Sequence, residues 1–96
     1  MISKFEIFGN GVLAFLQALC VSNMDKPIGS VLYTQMCNSH GGTEADVTFI
    51  RLSSDHFYMV TGSGFGVHDS EWLKSKFPTD GTIHLIEVTS GKAVIN

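Results

Sequence analysis

Small or apolar side chains alternate with mostly polar ones along residues 43–50. One side would carry Thr43, Ala45, Val47 and Phe49, and the other would carry Glu44, Asp46, Thr48 and Ile50. Successive side chains of an extended chain point to opposite faces, so this pattern predicts a β-strand. Aspartate is a poor strand residue. Asp46, in the middle of this strand, is therefore the first side chain whose position needs an explanation.

Four other stretches also have the alternation or composition of strands, with turn residues between them. They are residues 3–8, 30–37, 56–62 and 82–88. Residues 38–42 contain two glycines and predict a hairpin loop before the strand that holds Asp46. Residues 92–96, KAVIN, are a candidate for the start of a sixth strand.

Two segments have helical spacing instead. Between residues 12 and 20 the apolar side chains recur every three or four positions, and Asn10 is predicted to cap this helix through its side-chain oxygen. The second helix is predicted to begin near Asp69 or Ser70 and to end before Pro78. Its apolar side would carry Trp72, Leu73 and Phe77, with the indole packed on the sheet.

The resulting order, β-α-β-β-β-α-β, predicts an α+β fold with a mostly antiparallel sheet, two helices packed on one face and a ferredoxin-like character. A chain of 96 residues, 44% apolar and 16% charged, fits a single globular domain over residues 1–96. A net charge of -3 provides no basic surface for nucleic acid, and no apolar run is long enough to span a bilayer. Cys20 and Cys37 are interpreted as reduced thiols.

Two sequence motifs are weaker than they first look. Residues 61–66, TGSGFG, miss the G-x-G-x-x-G spacing of a dinucleotide site, which favours a plain strand-to-helix connection. Cys37 and His40 form half of a zinc site or a candidate Cys–His pair, but zinc needs four ligands and a catalytic pair needs an orienting group. The remaining histidines are expected at the surface or at strand edges: His56, His68 and His84.

Asp46 leaves two interpretations open. If Ala45, Val47 and Phe49 face the helices, Asp46 points out from the opposite face of the sheet. Most exposed carboxylates are simply solvated. A carboxylate on a rigid strand is, however, also well placed to act as a general base toward a cationic or N–H-bearing ligand.

Several blocks of the chain resemble one family over nearly its whole length. These blocks are KFEI, the helix end LC, DKPIGSVLYTQM, GGTEADVTFIRL, FYMVTGSGFGVHDSEWL and EVTSGKAV. They resemble the aminomethyltransferase-like, tetrahydrofolate-binding domain of glycine cleavage T-protein and of dimethylglycine and sarcosine dehydrogenases. The VTG and HD motifs, and Ala45 in place of a second aspartate, are more similar to the dehydrogenase branch than to T-protein.

This resemblance implies a role for each matching position. It implies that Asp46 is the catalytic carboxylate beside the reactive nitrogens of tetrahydrofolate, and that Asp46 and Tyr33 contribute to folate binding, with no metal. The parent protein would transfer a one-carbon unit from a demethylated glycine derivative to tetrahydrofolate. FAD would belong only to a full-length dehydrogenase parent. The protein would be located in the cytoplasm of a bacterium or in the mitochondrial matrix of a eukaryote.

The family's folate domain continues beyond EVTSGKAV, through a Gly-Pro motif and a part that supplies a glutamate and an arginine to the pterin. We therefore expect this chain to correspond to the N-terminal part of that domain, truncated at its C-terminus, and to be inactive alone. Folate, a complementing C-terminal half and a second copy of the chain are the expected partners, without nucleic acid or membrane. A non-catalytic interaction or regulatory module with the same fold, and a fragment without a role, are the alternatives.

Overall fold

The computed structural model describes residues 3–38, 40–62 and 67–88. Five strands and two helices follow one another in the predicted order. They are β1 (Ser3–Gly9), α1 (Val12–Leu19), β2 (Val31–Cys37), β3 (Thr43–Ser53), β4 (His56–Thr61), α2 (Val67–Ser75) and β5 (Ile83–Glu87). The loop at residues 63–66, the side chain of His68 and the candidate sixth strand lie outside the described residues.

The described strands form one sheet in the order β2-β3-β4-β1-β5, and every neighbouring pair is antiparallel. Short turns join β2 to β3 and β3 to β4, whereas α1 and α2 connect strands that are not neighbours. The predicted α+β class with an antiparallel sheet is confirmed. No helix of the described residues is long and apolar enough to cross a bilayer.

One face of the sheet packs against both helices and forms the core. Alternate residues of each strand reach this face, so Val47 and Phe49 of β3 are buried while Asp46 is exposed. Phe49 and Phe57 meet edge to face with ring centroids 6.1 Å apart. The largest fully buried side chains of this core are Phe49, Phe57, Ile7, Leu16, Met24, Met36, Met59, Leu73 and Val12.

The predicted cap of α1 is wrong. The N-cap residue is Gly11, with φ of 88°, and no side chain caps the helix. The chain turns from β1 into α1 through Gly9 and Gly11, both at positive φ, which glycine adopts without steric cost. A Cβ at Gly9 would lie 1.8 Å from the backbone oxygen of Thr82, so the two chain segments touch there. Asn10 therefore stands before the cap position and cannot take its role.

Helix α2 is anchored by Leu73 more than by Trp72. Leu73 is fully buried, while Trp72 and Phe77 are half-buried and pack on the rim of the core. Phe77 meets Phe15 of α1 edge to face at 5.3 Å, and the Lys76 ammonium lies 5.9 Å from the centre of the Trp72 ring. The predicted contact of Trp72 with the core is present, but the deepest side chain of α2 is its neighbour.

Arg51 lies on the buried face of the sheet although it is charged. It is 8% exposed and forms an ion pair with Asp25 at 3.0 Å. Its guanidinium also donates to the backbone oxygens of Lys26, Ser53 and Ser54, and lies 5.5 Å from the centre of the Phe57 ring. These acceptors compensate the buried charge, and they fasten the segment after α1 to the β3–β4 turn.

The same segment covers the outer edge of β2. Cys20 forms a bridge with Met36, and the Val21 amide donates to the Gln35 backbone oxygen at 3.1 Å. The Ser22 amide donates to the Thr34 hydroxyl at 3.2 Å. This edge of the sheet is therefore occupied by the chain itself.

Candidate functional site

The sheet face that points away from both helices is here called the open face. Strand pairing sets its side chains in rows: Gln35 of β2 is opposite Asp46 of β3, and Tyr33 is opposite Thr48. Thr48 is in turn opposite Val60 of β4. Directly paired residues share a face, so these five side chains form one patch across three strands.

Asp46 is exposed on this face, as its place in the alternation predicted. Its Oδ1 atom accepts a hydrogen bond from the Gln35 amide nitrogen at 2.9 Å. The Gln35 side-chain oxygen in turn accepts from the Thr43 hydroxyl at 3.5 Å. Gln35 thus holds one oxygen of the carboxylate, and the Asp46 side chain accepts no other hydrogen bond from the described residues. The second oxygen can accept a bond from a ligand.

Sequence reasoning missed Gln35. The register of the β2–β3 hairpin determines which residues face each other, and the length of the loop is the only hint of that register in the sequence. The structure contains an irregularity between Met36 and Cys37, however, and this shifts the pairing near the loop. Counting outward from the glycines would therefore have given the wrong partner for Asp46.

Tyr33 is 78% exposed and projects from the same face. It is paired with Thr48, two residues along β3 from Asp46, which makes Tyr33 and Asp46 diagonal neighbours. The two residues implied by the sequence resemblance are therefore brought together on one surface. An exposed ring beside a carboxylate offers a planar ligand both a stacking surface and an acceptor for N–H groups.

A shallow depression of about 490 Å³ lies in this patch. Most of its lining residues are polar, and Val60 is the aliphatic side chain that the open face contributes. Its lining consists of Tyr33, Thr34, Gln35, Asp46, Val47, Thr48, Val60, Thr61 and Gly62.

Comparison with known proteins gives this surface its context. The model of the GCVT N-terminal domain matches residues 1–96. The chain belongs to this family. The fold of this GCVT N-terminal domain also agrees with the crystal structure of the glycine cleavage system aminomethyltransferase T from Bartonella henselae, with a TM-score of 0.77 and 21% identity. That likeness covers 90% of this chain and 24% of the other.

Three curated relatives carry different names. The GCVT N-terminal domain is 34% identical over 96 residues to the mitochondrial pyruvate dehydrogenase phosphatase regulatory subunit of Mus musculus, covering 98% of this chain and 11% of the relative. It is 42% identical over 74 residues to the trimethylamine-oxide aldolase of Ruegeria pomeroyi, covering 76% of this chain and 9% of the relative. It is 35% identical over 72 residues to the aminomethyltransferase of a Thermoanaerobacter species, covering 74% of this chain and 20% of the relative. The chain spans between about a tenth and a fifth of these relatives.

The cysteines of the GCVT N-terminal domain lie apart from the depression at Asp46. Cys20 is buried, and burial, with a smaller effect of the nearby Cys37, raises the pKa of its thiol to about 12. Such a thiol is not a nucleophile at neutral pH. Cys37 ends β2, half-buried, and His40 is exposed in the following turn. Across the described ranges, no three His, Cys, Asp or Glu side chains gather as a metal site.

Two histidines lie at the other end of the open face. His56 Nε2 is 2.7 Å from Glu6 Oε1, and the Phe8 ring lies between His56 and His84, with centroids 5.2 and 5.3 Å away. His84 is exposed on the edge strand β5, as expected, while His56 is half-buried. The pair Ile50–Tyr58 separates this aromatic row from the Asp46 patch. These histidines therefore stand outside the depression at Asp46.

Proposed function

We propose that the depression beside Asp46 and Tyr33 binds a reduced folate. In this proposal, residues 1–96 form the N-terminal part of an aminomethyltransferase-like folate domain. Its parent protein transfers a one-carbon unit from a demethylated glycine derivative to tetrahydrofolate. The carrying observation is the Asp46 carboxylate, which Gln35 holds at one oxygen and which has no further partner among the described residues, next to the exposed Tyr33 ring. Membership of the GCVT N-terminal domain family supports the choice of ligand.

The side chains present fit such a ligand. A reduced pterin is planar in part and carries several N–H groups, so it suits a tyrosine ring and a carboxylate acceptor. When bound, tetrahydrofolate would supply the nitrogens that receive the one-carbon unit. Asp46 would accept a proton from such a nitrogen, and its charge would favour a cationic group at the same place. Gln35 would keep the carboxylate in one orientation.

The other parts of the reaction lie outside this chain in the proposal. A wide depression on a sheet face encloses little of a ligand, whereas good small-molecule sites bury most of the ligand surface. The remainder of the parent protein, or a complementing C-terminal half, would close the site. In a parent of the dimethylglycine or sarcosine dehydrogenase branch, a separate domain with FAD would carry out the oxidation.

A second function has its own support. An alignment that covers 98% of the chain, at 34% identity, relates it to a protein named as a phosphatase regulatory subunit. In this alternative the fold serves as an interaction or regulatory module without catalysis. The two functions differ in what they require of the open face, because only folate binding depends on the charge of Asp46.

Titration with a chemically stable reduced folate, followed by backbone amide shifts in nuclear magnetic resonance, tests the proposal. We expect shifts around β2 and β3 near Asp46, with an affinity in the millimolar range, or about -4 kcal/mol. Asp46→Asn preserves the shape and removes the charge, and it should weaken binding about tenfold, since hydrogen bonds to charged groups contribute roughly 1.5–3 kcal/mol.

Asp55→Asn is the matched control, because Asp55 is also exposed but lies in the β3–β4 turn. It should leave the affinity unchanged. Equal affinity of the wild-type and Asp46→Asn chains, or shifts that cluster away from the depression, would contradict the role of Asp46. A wild-type chain without any shifts would favour the regulatory alternative.

A further inference from the structure

Strand β5 is an outer strand of the described sheet and pairs there with β1. The Val88 amide donates to the Lys4 backbone oxygen at 2.8 Å, which fixes the phase of this antiparallel ladder. Hydrogen-bonded and non-hydrogen-bonded pairs alternate in such a ladder. The backbone N–H and C=O groups of Ile83, Leu85 and Glu87 therefore point outward, away from β1.

Within the described residues, this edge lacks several of the devices that commonly protect outer strands. The sequence IHLIE contains neither lysine nor proline, and its pairing with β1 is regular from Ile83 to Glu87. Ile86 is 49% exposed. The opposite edge of the sheet is different, because residues 20–22 lie along β2 and use its outer groups. Within the described residues, β5 has no corresponding cover.

We propose that β5 pairs antiparallel with β5 of a second copy of this chain, about a two-fold axis at Leu85. This register places Leu85 opposite Leu85 of the second copy and Ile83 opposite its Glu87. The outward groups of Ile83, Leu85 and Glu87 then all find partners. The two sheets become one continuous sheet, and the contact is isologous, as in most dimers.

Charge complementarity supports a second copy as the occupant. Lys74, exposed in the last turn of α2, lines a depression together with Ile83, Leu85 and Ile86, and the chain runs from that turn to Ile83, the first residue of β5. Glu87 is exposed at the other end, on the helix side of the sheet, because its partner Phe5 faces the core. Four residues of strand separate these ends by about 13 Å. In the dimer, each Lys74 meets the Glu87 of the other copy.

The apolar surface at this edge is also self-complementary. The depression beside β5 has a volume of about 480 Å³. On the open face, Ile86 would lie opposite His84 of the second copy, and on the helix side the two Leu85 side chains would meet. The lining residues are Phe8, Lys74, Phe77, Ile83, His84, Leu85 and Ile86.

Sedimentation velocity of the whole chain at low salt, over a range of concentrations, tests this dimer. A contact of two short strands is small, so we expect a dissociation constant in the micromolar range. Lys74→Glu places two glutamates opposite each other at both ends of the contact, and Glu87→Lys places two lysines there. Each variant alone should weaken the dimer roughly tenfold, since like charges directly opposite are destabilising.

Mixing the two single variants is the decisive step. In the mixed dimer both contacts again join a lysine to a glutamate, so the wild-type dissociation constant should return, as it should in the double variant. Lys76→Glu, just after α2, and Glu71→Lys, within α2, make the same charge changes at exposed positions that do not line the depression beside β5, and they should leave the dimer intact.

Two results would overturn the proposal. One is a wild-type chain that stays monomeric at all concentrations, which would mean that the chain's own remaining residues or solvent occupy the edge. The other is a dimer that neither single variant weakens, or whose loss in the single variants is not reversed by mixing them. Both results are independent of folate binding.

Discussion

The two faces of the sheet differ in what holds their side chains in place. On the helix-covered face, Phe49, Leu73 and their neighbours are fully buried and fixed by packing. On the open face, Asp46 is oriented by one hydrogen bond from Gln35, and Tyr33 is 78% exposed. Buried apolar area carries most of the stability of a small domain. The covered face therefore determines whether the chain folds, while the open face can vary with function.

The largest effect should come from the covered face at Leu73. Leu73→Ala removes a fully buried side chain, so we expect a loss of about 3–5 kcal/mol in the free energy of unfolding. Trp72→Ala, one residue away but only half-buried, should cost less. Urea denaturation of both variants measures the difference. A larger loss at Trp72 would show that α2 is rotated relative to the described packing.

A pH-dependent effect should come from Cys20, also on the covered side. Its folded pKa of about 12 lies above the ordinary value of 9.0, so the folded thiol keeps its proton where the unfolded thiol loses it. The contribution of the protonated Cys20 thiol to the free energy of unfolding is complete below pH 9 and disappears as the pH rises toward 12. Between about pH 8 and about pH 10, the free energy of unfolding of the wild-type chain should fall by about 1 kcal/mol relative to that of the Cys20→Ala variant.

Subtracting the Cys20→Ala curve removes the titration of lysines and tyrosines that both proteins share. Parallel stability curves for the two proteins would contradict the burial of this thiol.

The smallest effect should come from the open face at Tyr33. Tyr33→Ala removes a large side chain that is mostly in water, so the free energy of unfolding should change by no more than about 0.5 kcal/mol. Phe49→Ala, an aromatic truncation on the other face of the paired strand, is the control and should cost about 3–5 kcal/mol. Similar losses in the two variants would mean that the open face is covered in the folded protein.

The strands and their succession along the chain could be predicted because period-two alternation is a strong local signal. The exposure of Asp46 followed from the same alternation. The phase of α2 could not be fixed between Trp72 and Leu73, since nine residues make only two and a half turns and their apolar pattern is weak.

Other features depended on partners that are distant in the sequence. Alternation puts Arg51 on the buried face, but its charge argues for the surface, and its ion-pair partner Asp25 is 26 residues away. The capping position at α1 was taken by Gly11 because the chain reverses there at positive φ, which a preference for asparagine caps does not reveal. Gln35 required the register of β2 and β3.

The contact at Gly9 has a consequence for how the chain can vary in evolution. The backbone of Gly9 lies so close to Thr82 that a Cβ would stand 1.8 Å from a carbonyl oxygen, and its φ of 134° suits glycine alone. Every missense change in this codon adds at least a methyl group. Such changes would push the end of β1 away from the start of β5, so we expect missense substitution at this position to be selected against.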